Sequence, residues 1–463
     1  MIDFCRKILD DQIFSRGNFA DIRLYTGYGL NISIQNGRPE KTRYEKDCGV
    51  AIRALINGSW GFVAEASHNK EVIANGLQKA IKIANAMSSK IKDKGQMPEE
   101  YCVKGKHKKS YKIDPRNIPI DIKYGLVEEF EKVTRKYSPK IVSTSASLQE
   151  WFQKEIIINT LGTKVENEYS NLNIACSATS RDGDLMQNVY AANGTSDGWE
   201  IFKKYNVVEK GEKLAKRAVK LLSAEKPPSG KKDLVLDSSI VGVYVHESFG
   251  HAEEADSVLA KESILEGKMG EKIGSDQINI YDDPTIPGLR GSYKYDSEGT
   301  EAVKRHLVEN GVQKNYLHSL ETAVKMGVEP NGAARAMSYT NRPIVRMGNT
   351  YIEAGDYSFE ELLEEVGDGV FLENSYGGYV DTAKGEFYFT AQGGYIIKNG
   401  KLTDPIQNVS MSGLCLEVLE RTMAVGKKIE FAFPGTCGKQ SQWVPVHSGG
   451  PPIAVGQIVI GGQ

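Results

Sequence analysis

Residues 22–62 read IRLYTGYGLNISIQNGRPEKTRYEKDCGVAIRALINGSWGF, punctuated by two Asn-Gly pairs. Ile22 and Leu24, then Leu30, Ile32 and Ile34, alternate with other residues as far as Asn36-Gly37, and a second apolar run over 50–56 closes at Asn57-Gly58 before Trp60-Gly61-Phe62. Both residues of such a turn must tolerate positive φ, so Asn-Gly between period-two runs is a strong hairpin signal. An antiparallel sheet therefore opens the chain. Over 69–90 the period becomes helical, with Ile73, Leu77, Ile81, Ala84 and Met87 on one face. A second amphipathic segment uses Ile122, Leu126, Phe130 and Val133, and strands are expected at 141–151, 156–159 and 173–179. Leu161-Gly162-Thr163 loosely echoes Asn36-Gly37-Arg38, a weak sign of internal duplication.

Outward from there, a Lys- and Ala-rich helix over 209–222 leads into residues 223–232, whose Pro, Gly, Ser and Lys suit an exposed linker. A chain of 463 residues exceeds what one core usually organises. The boundary is placed in this linker, giving 1–226 and 227–463. Beyond it come a strand at 233–236, hairpin signals at Asn310-Gly311 and Asn399-Gly400, and a short helix that the capping box Ser358-Phe359-Glu360-Glu361 starts and Gly367 ends. The expected class is α+β, an antiparallel sheet with packed helices followed by a β-rich half.

Fifty-eight Lys and Arg against 60 Asp and Glu leave a net charge of −2, without the basic excess that nucleic acid or an anionic membrane demands. The start, Met1-Ile2-Asp3-Phe4-Cys5-Arg6-Lys7-Ile8, puts charges where a signal peptide needs an apolar core, and no run approaches the roughly 18 apolar residues of a membrane span. The expectation is a cytoplasmic protein with no nucleic-acid or membrane partner. Six cysteines spread without a CxxC pair read as free thiols.

The chemistry concentrates in residues 237–256, DSSIVGVYVHESFGHAEEAD. Ser238 or Ser239 can cap a helix buried through Val241, Tyr244 and Val245, which presents His246, Glu247 and His251. Neutral imidazoles bind a zinc ion, and an adjacent carboxylate takes a proton from its water. Five residues separate the histidines, so on a regular helix they diverge by about 140°. A single i→i+5 turn, a π-bulge, realigns them, and Gly250 lowers its steric cost. Candidates for a third ligand are Glu254 and Asp256 within the motif, and Cys437, the first choice, set between glycines in a tight loop over 431–439. His447 is a lesser candidate for the third ligand, read first as a satisfied polar residue, and His68, His107, His306 and His318 read as solvated.

The segment HESFGHAEEAD, the late GTCGK followed by Val444-Pro445-Val446, the early NGRPE and GSWGF, Gly377-Gly378-Tyr379 and the 390–395 stretch together resemble the TldD/PmbA family of metallopeptidases, nearly end to end. The resemblance implies the metal-bearing type of subunit, with zinc held by His246, His251 and Cys437 and Glu247 unligated as general acid/base. It further implies a β-rich, barrel-like catalytic domain and a cavity that admits small or unfolded peptides. Partnership would be a homodimer, or a heterodimer with a metal-free relative. After Val446 the sequence runs His447-Ser448-Gly449-Gly450-Pro451-Pro452, where a glycine-richer run is expected. Residues 390–397 are taken as the sheet edge that receives a peptide strand. The competing readings are a regulatory protein of gyrase-modulator type with structural zinc, and a zinc hydrolase of a non-peptide amide.

Overall fold

The structure, a computed structural model, describes residues 1–12 and 17–462. Its first layer is a seven-stranded sheet built on long hairpins. β1 (Phe19–Gln35), β2 (Arg38–Ile56) and β3 (Ser59–Glu65) form one antiparallel half, and β5 (Ile141–Asn159), β6 (Lys164–Asp182) and β7 (Leu185–Thr195) the other. β1 and β5 join them antiparallel, and β4 (Lys104–His107) adds in parallel to β6. Both Asn-Gly turns have positive φ at each residue, 51° and 75° at Asn36-Gly37 and 52° and 82° at Asn57-Gly58. α1 (Ile2–Asp10) and α2 (Lys70–Met87) cover the first half, while α3 (Ile120–Lys136) and α4 (Val207–Leu221) cover the second. Each half thus runs helix, three strands, helix, the order an internal duplication leaves.

Three expectations for this half are corrected. Residues 141–159 form one strand, not two, and β7 was not anticipated. α3 buries Lys123, Val127, Phe130, Glu131 and Thr134 and exposes Ile122. Pairing explains that rotation: Lys123 reaches Glu150 at 2.5 Å, and Glu131 accepts bonds from the Thr144 hydroxyl and the Gly37 amide. Charged residues so satisfied can sit on the inner face, and a pattern read from apolar residues alone misses them. Of the expected linker, residues from Gly230 already belong to a strand, and Glu225 N–H donates to Pro405 O.

The C-terminal half centres on a closed five-stranded barrel. β8 (Gly230–Leu236) lies between β9 (Gly369–Asp381) and β15 (Ile453–Gly462); β15 pairs with β12 (Val409–Leu414), β12 with β10 (Glu386–Lys398), and β10 closes on β9. β11 (Lys401–Ile406) follows β10 through the Asn399-Gly400 turn. The class is α+β, as expected, and the second half is barrel-like. Residues 390–397 are not an edge: all but Gln392 pair with β9 on one side, and all but Gln392, Gly393 and Ile396 pair with β12 or β11 on the other. Among the described residues no helix is long and apolar enough to cross a membrane.

The face of the sheet away from its helices meets the C-terminal half through buried charge. Arg23 pairs with Glu155 at 2.9 Å and donates to the carbonyls of Ser338 and Asn341; Arg53 bridges Asp21 and Glu298. Removing one partner of such a pair leaves the other charge unpaired and desolvated. Arg23→Met should therefore destabilise the fold by about 3–5 kcal/mol, and Arg23→Met/Glu155→Gln by less than that single change, as read from urea unfolding midpoints.

Candidate metal centre

Strand β8 ends at Leu236, and the chain turns directly into α5 (Ser238–Tyr244). Asp237, not Ser238 or Ser239, caps it: its carboxylate accepts from the amides of Ser239 and Ile240 and, through its other oxygen, from Asn374 N–H of β9. The helix is buried almost all round. Leu236, Val241, Tyr244, Val245 and Phe249 join Leu372, Phe387, Phe389 and Met411 of the barrel in the largest apolar cluster. Tyr244 also donates to Cys415 O at 2.6 Å.

The expected π turn is present over Val245–Gly250, where His251 N–H donates to His246 O at 3.2 Å, an i→i+5 bond. The two imidazoles come to 5.3 Å between ring centroids, at 76°. Gly250 is needed for a reason the sequence does not show. A Cβ there would lie 1.8 Å from Met347 Sδ, so the absence of a side chain makes room for a neighbour rather than freeing the backbone.

Cys437 lies not in a tight loop but on β13 (Thr436–Lys439), which forms a two-stranded hairpin with β14 (Gln442–Pro445) through Gln440-Ser441, both at positive φ. Its Sγ is 3.3 Å from His251 Nε2. Ligand atoms of His246, His251 and Cys437 all fall within 4.8 Å of one another, and no other grouping of three or more His, Cys, Asp or Glu among the described residues meets that test. The donor set fits a metal ion: His246 Nδ1 is buried with no hydrogen-bond partner, and two imidazoles with one thiolate suit zinc. Burial disfavours ionisation of the Cys437 thiol, yet His246 and His251 hold its pKa well below the usual value. Burial opposes the charge on His251 too, while Glu254 and Cys437 raise its pKa well above the ordinary one.

Glu254 stands behind His251 rather than beside Cys437. Its Oε2 is 3.1 Å from His251 Nδ1 and 3.1 Å from Lys439 Nζ, and Arg346 Nε lies 3.8 Å from its other oxygen. Although burial works against ionisation, Lys439, His251 and Arg346 bring its pKa down to about 2. Asp256, also considered a ligand, pairs with Lys439 at 2.7 Å. Glu247 is partly exposed, at 26%, with its carboxylate 3.9 Å from His251 Nε2. His447, as expected, is a satisfied polar residue: its ring lies 3.1 Å from Phe431 O and accepts from Arg290 N–H. Of the other four histidines, expected to be solvated, His318 is buried and the remaining three are half-buried. His318 is buried beside Thr322, His306 stacks on Tyr281 at 4.2 Å, His68 contacts Gly49 O, and His107 is half-buried on β4.

Three arginines that the sequence reading missed hold the Cys437 hairpin by its backbone. Arg346 donates to Cys437 O at 2.5 Å and to Gln442 O, Arg335 to Pro445 O and Met347 O, and Arg290 to Pro434 O and Gly435 O. They lie 91 to 145 residues from the carbonyls at 434–445, so no local pattern announces them.

A buried two-histidine, one-cysteine cluster with a free glutamate on a π turn defines a candidate mononuclear metal centre. The chain belongs to the PmbA/TldA metallopeptidase family, whose domain 1 matches residues 20–88, central domain 113–222 and C-terminal domain 229–462. A metalloprotease of Methanothermobacter thermautotrophicus is 37% identical over 462 residues, 99% of each chain. The zinc metalloprotease TldD homolog of Saccharolobus solfataricus is 27% identical and covers 96% of this chain and 97% of its own. Among solved structures, TldE of Thermococcus kodakarensis shares the fold with a TM-score of 0.78 at 18% identity, covering 100% of this chain and 99% of its own.

Introducing a methyl at Gly250 should force Met347 aside and cost about 1–3 kcal/mol. Thermal unfolding should show Gly250→Ala and Met347→Ala together costing less than the sum of the single changes, since the second removes the clash created by the first.

Proposed function

We propose that the chain is a zinc-dependent peptidase of two domains, 1–226 and 227–463, in which His246, His251 and Cys437 hold the ion and Glu247 is the general base. The observation that carries this reading is the convergence of those three side chains on one point, with Glu247, next in sequence to His246, partly open to solvent and 3.9 Å from His251. Names of relatives that print metalloprotease or zinc metalloprotease support the same class.

A bound zinc supplies a Lewis acid for the peptide carbonyl and lowers the pKa of water toward about 7. Glu247, next in sequence to one proposed ligand and 3.9 Å from the other, is placed to accept a proton from an attacking water and return it to the leaving amine. Glu254 fixes the His251 ring with Nδ1 turned to its carboxylate and Nε2 toward Cys437, the carboxylate–histidine arrangement that orients metal ligands. Burial of His246 and Cys437 keeps bulk water from competing with the ligands. A thiolate ligand donates more charge than a third imidazole, which points to slow, selective cleavage of small or unfolded peptides. The setting proposed is the cytoplasm, as a homodimer or paired with a metal-free relative, and a chain of the same fold named TldE supports the pairing.

Metal content and peptide cleavage, measured on the same samples, test this. Native protein should carry about one zinc per chain, lost together with cleavage in His246→Ala and Cys437→Ala. Glu247→Gln should keep its zinc and lose about 10²–10⁴-fold in kcat; retention of full cleavage would remove Glu247 from its role. Absence of zinc from native protein after reconstitution would favour the regulatory reading. Glu254→Gln should weaken zinc affinity by about 10–100-fold, measured by competition with a chelator.

A further inference from the structure

Arg290 sits between two clefts, one of about 840 Å³ against the sheet and one of about 1150 Å³ between α4, β7 and residues 426–436. Neither is lined by His246, Glu247 or His251; both reach the metal centre's edge at Thr436. One residue step, about 3.8 Å of backbone, separates that wall from Cys437. The larger cleft has an unequal lining, with six Lys and Arg side chains against three Asp and Glu, one of which, Asp237, is engaged in capping α5. Its sign is positive.

Two of those cations are poorly compensated. Arg290 is 8% exposed, its Nε donates to Asn171 Oδ1, and its Nη1 to the carbonyls of Pro434 and Gly435. Among the described residues no carboxylate lies within ion-pair distance of it, and its Nη2 makes no hydrogen bond. Burial lowers its pKa to about 10, which leaves it a cation at neutral pH. Arg217 also lacks an ion pair among the described residues, although Glu373 and Asp237 offset part of its charge from further off: its two terminal nitrogens donate to Asn374 Oδ1, Tyr190 O and Gln392 Oε1, while its Nε is buried without a partner. Lys210 and Lys427, exposed on the rim, make no ion pair among the described residues. A buried guanidinium facing only neutral oxygens is costly unless something anionic joins it, and its free edge matches one carboxylate oxygen.

We propose that the larger cleft binds a carboxylate of a peptide ligand, with Arg290 Nη2 as the anchor and Lys210 and Lys427 drawing the charge in. The site rests on the peptidase reading for the identity of its ligand and makes Arg290 a specificity residue. Both a free chain end and an acidic side chain would supply the group.

Three labelled penta-alanine peptides distinguish these sources: one with a free C-terminal carboxylate, its C-terminal amide, and the amide with a central Glu. Binding is followed by fluorescence polarisation to Glu247→Gln protein, and cleavage with native protein. At least one acid form should bind about 10-fold more tightly than the plain amide, the amount expected of a charge-assisted bond. Which acid form does so identifies the carboxylate. Adding Arg290→Gln should abolish the preference, with zinc content measured on the same samples to report any disturbance of the hairpin. Because Arg290 also holds the hairpin, Lys210→Gln/Lys427→Gln gives a second test and should reduce the preference about 2–3-fold. Equal binding of all three peptides, or a preference untouched by both sets of variants, overturns the proposal. Acid preference without any cleavage would sink the peptidase reading and leave the carboxylate site standing; cleavage without acid preference would do the reverse.

Discussion

One hydrogen bond sets the centre: the donation from His251 N–H to His246 O, five residues back. With the usual i→i+4 bond, the two imidazoles would diverge around the helix by about 140° and could not face a common point. The extra residue in the turn brings their rings to 5.3 Å. This geometry is held by its surroundings, because a lone π turn has no intrinsic advantage over an α turn. Asp237 anchors the start of the helix to the barrel, the flanks are packed into the largest apolar cluster, and Met347 lies so close to Gly250 that any added side chain must push it aside.

The third ligand candidate reaches the site from 186 residues further on, and it travels on a weak carrier. A two-stranded hairpin on its own is marginal in water. Here Arg290, Arg335 and Arg346 grip its backbone carbonyls and those beside it, so guanidinium forks substitute for the neighbouring strands that a sheet would provide. Lys439 on the same hairpin reaches Glu254, which in turn orients His251. The position of the thiol and the orientation of the imidazole are therefore coupled through one buried chain of charges. That coupling also explains the contrast between neighbours: Glu253, meeting only Gln313 in an apolar surround, has its pKa pushed well above the usual range by burial, while Glu254 is held ionised.

The same economy of buried charge joins the two halves. Arg23 and Arg53 meet acids and carbonyls across the sheet's inner face, and Arg290 bridges Asn171 of the sheet to the loop that precedes Cys437. The sheet is thus a structural support for the metal centre as well as a wall of the clefts beside it.

Local sequence determined much of this. Asn-Gly pairs fixed four hairpin turns because few residues accept positive φ, Ser358 and Glu361 fixed a helix start, and the spacing of His246, Glu247 and His251 already required a π turn if both histidines were to share one ion. Cys437 could be nominated from its glycine-flanked setting, though not its place on a strand. What only the tertiary structure decided were relations between distant charges: Glu254 behind His251 rather than at the site, the burial of His318, Lys123 and Glu131, and the arginines around the hairpin. A charged residue reads as solvated until its partner is known, and its partner lies tens to hundreds of residues away. Periodicity reports which way a side chain points from its own backbone, whereas the free energy of burying a charge depends on what the fold brings to meet it.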